Sequence, residues 1–162
     1  GEVACFGENA GQALLLSMLA VGFKSPKKNI LLTIGRLEDK VDMLPAVEQL
    51  HRAGFALYAT RNTHEFLQSR GLPSVLLHKV SEPRSPNLRE HLEQPRIHLV
   101  VDLPTTEGRS VQTDGYFIRR LATDRGIPLI TNVQLAKRLV EALIQEDVTA
   151  LPCLAWPDVL HR

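Results

Sequence analysis

Few of the residues that announce a chemistry are present. The two cysteines, Cys5 and Cys153, stand near opposite ends of the chain and at no metal-ligand spacing. They read as two free thiols of a reducing compartment rather than a disulfide. The six histidines are scattered, with no pair at ligand spacing on a predicted helix, so no metal centre is expected. No Gly-rich phosphate loop of the Walker or dinucleotide type occurs. The net charge of +1 gives no general attraction for nucleic acid. The most apolar stretch, Ala13 to Val21, falls far short of the roughly 20 residues of a membrane span. It also lacks the basic leader and cleavage site of a secretory signal. There is no internal repeat and no low-complexity tract. The chain starts at Gly1 without Met, which suggests an excised piece or a processed product.

What is present is an ordinary globular balance: 44% apolar and 23% charged residues over 162 positions, enough for one domain with a real core. Five apolar runs read as strands: Asn29 to Ile34, Phe55 to Ala59, Ser74 to Lys79, Ile97 to Asp102 and Ile127 to Ile130. Helices are predicted between them. The first spans Asn9 to Val21 and stops at Gly22. The second spans Lys40 to Ala53, capped by Asp39 and closed by Gly54, with Pro45 able to displace its start. The third, Thr63 to Ser69, is announced by Asn62 and Glu65 in capping-box form. Leu88 to Glu93, Tyr116 to Arg125 and Val133 to Ile144 follow. Pro128 argues that the fifth run is an edge strand or a strand start. Alternating strands and helices imply an α/β domain, a parallel sheet covered on both faces. Residues 1–8 read as a connector, 9–145 as the domain, and 146–162 as a tail that packs through Trp156 or is partly disordered.

Each apolar run ends in small polar or basic residues, and none ends in an acid–base pair. If the strands are parallel, these residues share one sheet edge, where ligands bind in open α/β folds. Thr33 stands one residue before the end of the first run. Thr60 and Thr63 bracket the start of the third helix, whose unpaired amides favour an anion. Lys40 opens the second helix and Lys79 ends the third run. Thr105, Thr106 and Gly108 follow the fourth, in a polar loop from Pro104 to Asp114, and Thr131 and Asn132 follow the fifth. Hydroxyls, amides and ammoniums without a strong base suit holding a phosphate. Taken singly, each has a structural reading too: Asn62 and Glu65 as a simple cap, Lys40 as a solvated lysine. Asp102 is the best lone catalytic acid, without a visible partner base. Of Arg119 and Arg120, one is expected to make a structural ion pair.

Several motifs together resemble the C-terminal regulatory, methylglyoxal-synthase-like domain of the large (synthetase) component of carbamoyl-phosphate synthase. The resemblance covers roughly residues 1–142. It is carried by Gly1 to Glu8, Met18 to Phe23, Pro26 to Gly35, Ala59-Thr60-Arg61-Asn62-Thr63, Ile118-Arg119-Arg120-Leu121-Ala122 and Ile127 to Asn132. It implies a single three-layer domain with a five-stranded parallel sheet of order 3-2-1-4-5. It also implies a domain that binds an allosteric effector and performs no chemistry, with no catalytic residue, metal or cofactor of its own. ATP with Mg or Mn belongs to the rest of the parent enzyme. The implied partners are the effector, the preceding synthetase domains of the same polypeptide, the glutaminase component, and a further copy in a homo-oligomer. Neither nucleic acid nor membrane is implied. In the nucleotide-regulated branch, residues resembling Lys40, Thr60, Thr63 and Lys79 hold the phosphate. The N-acetylglutamate branch has a tryptophan where Lys79 stands and asparagines where Thr105 and Thr106 stand. The departure favours a phosphorylated effector such as UMP or UTP, a pyrimidine- or arginine-pathway parent, and a cytoplasmic rather than mitochondrial setting. The enzyme reading, methylglyoxal synthase itself, needs a Gly-Gly-Asp segment after the third strand. Here Ser81 to Asn87 offers only Glu82, beside Pro83. A pure assembly domain is the third reading.

Overall fold

The structure, a computed structural model, describes residues 3–94, 96–105 and 114–152. Its elements alternate: α1 (Ala10–Ala20), β1 (Asn29–Ile34), α2 (Leu37–Arg52), β2 (Ala56–Ala59), α3 (Arg61–Ser69), β3 (Val75–Leu76), α4 (Leu88–Glu93), β4 (Leu99–Leu103), α5 (Asp114–Asp124), β5 (Leu129–Ile130) and α6 (Val133–Gln145). The strands form one sheet in the order β3-β2-β1-β4-β5, and every neighbouring pair is parallel. This is the doubly wound α/β arrangement that the alternating pattern and the family resemblance both predict.

The central strands explain themselves from composition. β1 and β4 are mainly apolar, interrupted near their ends by Thr33 and Asp102, and β4 is buried at each of its five positions, as two-sided coverage requires. Side chains alternate across the sheet. Ile30, Leu32 and Ile34 of β1 join Leu99, Val101 and Leu103 of β4 in one core, with Met43, Val47 and Leu50 of α2 and Leu139 and Val140 of α6. Leu31 and Val100 point the other way, into a second core with Leu88 and Leu92 of α4 and Ile118 and Ala122 of α5. The sheet therefore separates two cores, which makes three layers.

Several boundaries differ from the sequence expectation, each for a physical reason. β5 starts only after Pro128, which accepts a bond from the Val100 N–H at 2.9 Å but has none to donate. β3 is cut to two residues. After the Leu77 N–H bonds the Ala59 carbonyl, the chain turns to pair with its own loop: the His78 N–H donates to the Pro86 carbonyl and the Leu88 N–H to that of His78. α2 begins at Leu37, so Asp39 lies in its first turn beside Glu38, where negative charge suits the dipole, instead of capping it. Pro45 lies inside this helix. It and Val41, whose carbonyl it leaves without a helical donor, are both exposed, so water can take that bond.

Capping is also redistributed. Thr60, not Asn62, stands at the N-cap of α3, so the expected box there is not used. A true capping box forms one helix later: Asn87 accepts the Glu90 N–H at 3.0 Å and Glu90 accepts the Asn87 N–H at 3.4 Å. At the other end of the domain, the side chains of Asn9 and Gln12 donate to Glu146 at 2.8 and 3.0 Å. Val148 and Leu151 pack on the first core. The start of the expected tail thus belongs to the domain; Trp156 lies outside the described residues.

One contact fixes the start of α3 against the end of β1. Thr63 is 1% exposed, and its hydroxyl accepts the Ile34 N–H at 3.0 Å while donating to the Ile34 carbonyl at 3.2 Å. Thr63→Val keeps the shape but leaves both backbone groups unpaired in the core. A loss of about 1–3 kcal/mol in urea unfolding is expected, with Thr63→Ser retaining most of the stability.

Candidate functional site

At the carboxyl ends of the strands lies a cavity of about 580 Å³. β1 contributes Thr33 and, just beyond its end, Gly35. The β2–α3 junction contributes Thr60, Arg61 and Asn62. The segment after β3 contributes His78, Lys79 and Glu82. Thr105 follows β4, and Asp114 and Gly115 open α5. A groove of equal volume lies between α1 and α6, but its charged pair Arg138–Glu141 is self-satisfied at 2.8 Å and it faces no strand end. The carboxyl-edge cavity is where parallel topology makes chemistry converge.

The local backbone presents the first amides of α3 to the cavity. The Thr63 and His64 N–H groups of α3 fold back on the Thr60 carbonyl at 3.0 and 2.8 Å. Those of Arg61 and Asn62 precede any helical acceptor, and both residues line the cavity. Gly35 lets β1 and β4 close behind them. Its N–H bonds the Leu103 carbonyl at 2.8 Å. A Cβ there would fall 2.6 Å from the Thr105 Cγ2 and 2.9 Å from its backbone N.

The sequence-predicted site residues divide. Thr33, Thr60, Lys79 and Thr105 line the cavity together. Thr63 is behind it, its hydroxyl spent on Ile34. Lys40 is only 9% exposed, and its ammonium donates to the Asn62 carbonyl at 3.1 Å, bracing the first turn of α3 from outside the lining. Burial lowers its pKa, against an opposing pull from Glu65. Thr131 and Asn132 are exposed at the start of α6 and do not line the cavity; Asn132 caps that helix by accepting the Leu135 N–H at 2.9 Å. Thr106 and Gly108 lie outside the described residues.

Charged groups that the strand-end pattern did not single out as binding residues complete the wall. Lys79 pairs with Asp114 at 2.9 Å, and this hydrogen bond and charge raise the lysine pKa. Glu82 accepts from His78 Nδ1 at 3.1 Å and faces Arg61 at 3.6 Å. Desolvation alone would raise the Glu82 carboxyl, but the His78 bond and the Arg61 and His78 charges hold it below its usual value. Asp114 was legible only as the end of a polar loop and Glu82 only as a poorly placed base. Their pairing depends on two segments remote in sequence meeting across the sheet edge.

Asp102 is no free acid. It is 2% exposed and accepts from Arg119 at 2.6 Å, with a further hydrogen bond from Thr33, its register partner on β1. Burial raises its pKa more than Arg119 and Thr33 lower it. Arg119 is thus the structural arginine, while Arg120 pairs with Asp124 within α5. Among the described residues no group of His, Cys, Asp or Glu could hold a metal, and no helix is long and apolar enough to cross a membrane.

A parallel α/β sheet with a polar-lined cleft at its carboxyl edge defines the class as a domain of doubly wound architecture. Residues 42–131 match the MGS-like domain family, and the chain belongs to that family. It is 42% identical over 151 residues to the multifunctional protein pyr-3 of Neurospora crassa, which covers 88% of this chain and 8% of that protein. It is 40% identical over 147 residues to the mitochondrial carbamoyl-phosphate synthase [ammonia] of Homo sapiens, covering 88% of this chain and 10% of that one. The chain therefore spans about a tenth or less of the curated relatives it matches. Methylglyoxal synthase from Elizabethkingia anophelis NUHP1 shares the fold, with a TM-score of 0.56 at 16% identity over 86% of this chain and 97% of that one.

The Asp102–Arg119 pair has a pH signature. In Arg119→Met the buried carboxylate loses its cation, so its folded pKa rises further above the ordinary 3.8. A raised folded pKa gives stability below the unfolded value that is lost as pH rises through the folded value. The variant should be about 1–3 kcal/mol less stable at neutral pH, Arg119 being partly exposed, and closer to the parent near pH 4. Urea titrations at both pH values check this; a defect independent of pH would contradict it.

Proposed function

We propose that this chain is the allosteric effector-binding part of a carbamoyl-phosphate synthase and that its cavity takes a phosphorylated effector, most simply a UMP- or UTP-type nucleotide. The observation that carries this reading is the convergence of the Thr60 side chain, the first amides of α3 and the Lys79 ammonium on one cavity. The carboxylates in that cavity wall, Glu82 and Asp114, are already paired with cations. Donors without a poised base hold an anion without breaking it. The parent activity in this reading is the making of carbamoyl phosphate from bicarbonate, glutamine or ammonia, and ATP, supported by the likeness to relatives named multifunctional protein pyr-3 and carbamoyl-phosphate synthase [ammonia]. ATP and its Mg or Mn, the synthetase domains and the glutaminase component belong to that parent. The effector biases how this domain sits on its neighbours, with a coupling of about 1–3 kcal/mol that is reciprocal between effector and substrate binding. A cytoplasmic parent suits a nucleotide effector; the mitochondrial relative keeps the N-acetylglutamate reading as the second one.

One observation favours an enzyme reading more than the sequence did. Glu82 lies in the cavity wall, where a methylglyoxal-synthase-type elimination would need its base. Its hydrogen bond to His78 and the nearby Arg61 charge hold it ionised and weakly basic, which argues against that role.

Calorimetric titration with UMP, with N-acetylglutamate in a parallel cell, tests the assignment. Saturable UMP binding is expected. Lys79→Ala should weaken it about 10- to 100-fold, as loss of a charge-assisted bond does, and Thr60→Ala by a smaller factor. Unchanged affinity in both variants would sink the phosphate site. Binding of N-acetylglutamate alone would move the chain to the other effector. Release of phosphate from dihydroxyacetone phosphate, abolished in Glu82→Gln, would establish the enzyme reading instead.

A further inference from the structure

The cavity carries its own anions. Its two cationic side chains, Lys79 and Arg61, face Asp114 at 2.9 Å and Glu82 at 3.6 Å. The two carboxylates differ in how firmly they are held. Glu82 also bonds His78 on its own segment, so it stays with its loop whatever Arg61 does. Asp114 reaches Lys79 from another element, at the opening of α5, and Lys79 is 58% exposed while Asp114 is 28% exposed. This pair spans the mouth of the cavity between the segment after β3 and the start of α5, and both partners line it.

We infer that Asp114 is a built-in competitor: in the empty site it occupies the Lys79 ammonium that an effector anion must take, and so sets the threshold an anion has to exceed. The inference rests on the anion-site reading of the cavity given above. A ligand with one carboxylate exchanges like for like at Lys79 and gains little. A phosphate dianion brings more charge than Asp114 and displaces it. Once displaced, Asp114 is not lost to the fold, because an aspartate in the first turn of α5 is stabilised by that helix's dipole. α5 is itself anchored to β4 through Arg119 and Asp102, so the exchange happens at a fixed frame.

The competition makes a demand that a contact residue would not meet. Removing a competitor tightens every anion by the same factor, because the cost removed belongs to the empty site. Asp114→Asn should therefore strengthen UMP and inorganic phosphate alike, about two- to fivefold at low ionic strength, as expected for a partly exposed pair. The gain should shrink as salt is raised. Asp114→Ser, which keeps an oxygen at the helix start without charge, should do the same. A ligand-free readout runs beside it: the Lys79 side-chain resonance should titrate at lower pH in Asp114→Asn than in the parent. Weakened UMP binding would make Asp114 a ligand contact, and tightening of UMP without phosphate would place its effect on the nucleoside; either overturns the inference. Parent binding that is unchanged in both variants overturns the competition while leaving the anion site standing. Absence of binding of both anions in parent and variants overturns the site and the competition together. An unmoved Lys79 titration overturns the pair itself.

Discussion

Because β1 and β4 are hydrogen-bonded in parallel and buried on both faces, the rest of the molecule has little choice of arrangement. Their register sets Thr33 opposite Asp102 and Ile34 opposite Leu103. It therefore fixes where both strands release the chain. Two-sided burial demands helices above and below, which the two separate cores supply. Parallel pairing sends each crossover back under the sheet, so every strand delivers its carboxyl end to the same edge. The cavity is a consequence of that edge. Gly35 shows how closely it is drawn in, since no side chain fits between the ends of β1 and β4.

Polar groups buried near this edge mostly build the frame rather than the ligand surface. Thr63 satisfies both backbone groups of Ile34; Lys40 braces the Asn62 carbonyl; Asp102 anchors Arg119 and through it α5. Each would be costly to bury alone and is buried with a partner. His91, the remaining buried polar residue among those described, is a different case. Its Nδ1 lies 3.2 Å from the Asn87 carbonyl and its ring 5.4 Å from that of Tyr58, so it is core packing on the face of α4. The consequence is a rigid back wall with a soft front. Exposed Lys79 and Arg61 face the cavity and can exchange partners, whereas the groups behind them cannot.

The strands and helices were legible because period and punctuation agree: mainly apolar runs for β1 and β4, Asn9 at the start of the first helix, and glycine after α1, α2 and α3. Boundaries failed where two local signals compete. Asn62 and Glu65 have the form of a capping box, but the Thr63 hydroxyl is claimed by Ile34, and α3 starts with Thr60 as its cap. Four strand-end residues meet in the cavity because topology alone brings them there. Thr131 and Asn132 do not, since β5 is a two-residue edge strand and Asn132 turns to cap α6. The charges opposite Lys79 and Arg61 were illegible as partners. Asp114 is 35 positions from Lys79, as their numbers show, and nothing local marks a cross-edge pair.

That self-paired wall bears on what the domain can do. A catalytic base must be free to take a proton at the working pH, and enzymes raise carboxyl pKa values for that purpose. In the cavity wall the opposite holds. The Glu82 carboxyl is held below its ordinary value by His78 and Arg61, and Asp114 is tied to a lysine whose own proton is held more tightly. Both arrangements stabilise charge in place, and neither stores the driving force of a proton transfer. On the anion-site reading proposed above, they set an exchange between two sets of ion pairs, one internal and one with a ligand, close enough in free energy for ligand concentration to choose between them. An exposed pair worth about 1 kcal/mol or less is suited to such a balance, and a deeply buried one is not. The molecule divides its charges accordingly, with Asp102–Arg119 in the frame and Lys79–Asp114 at the mouth.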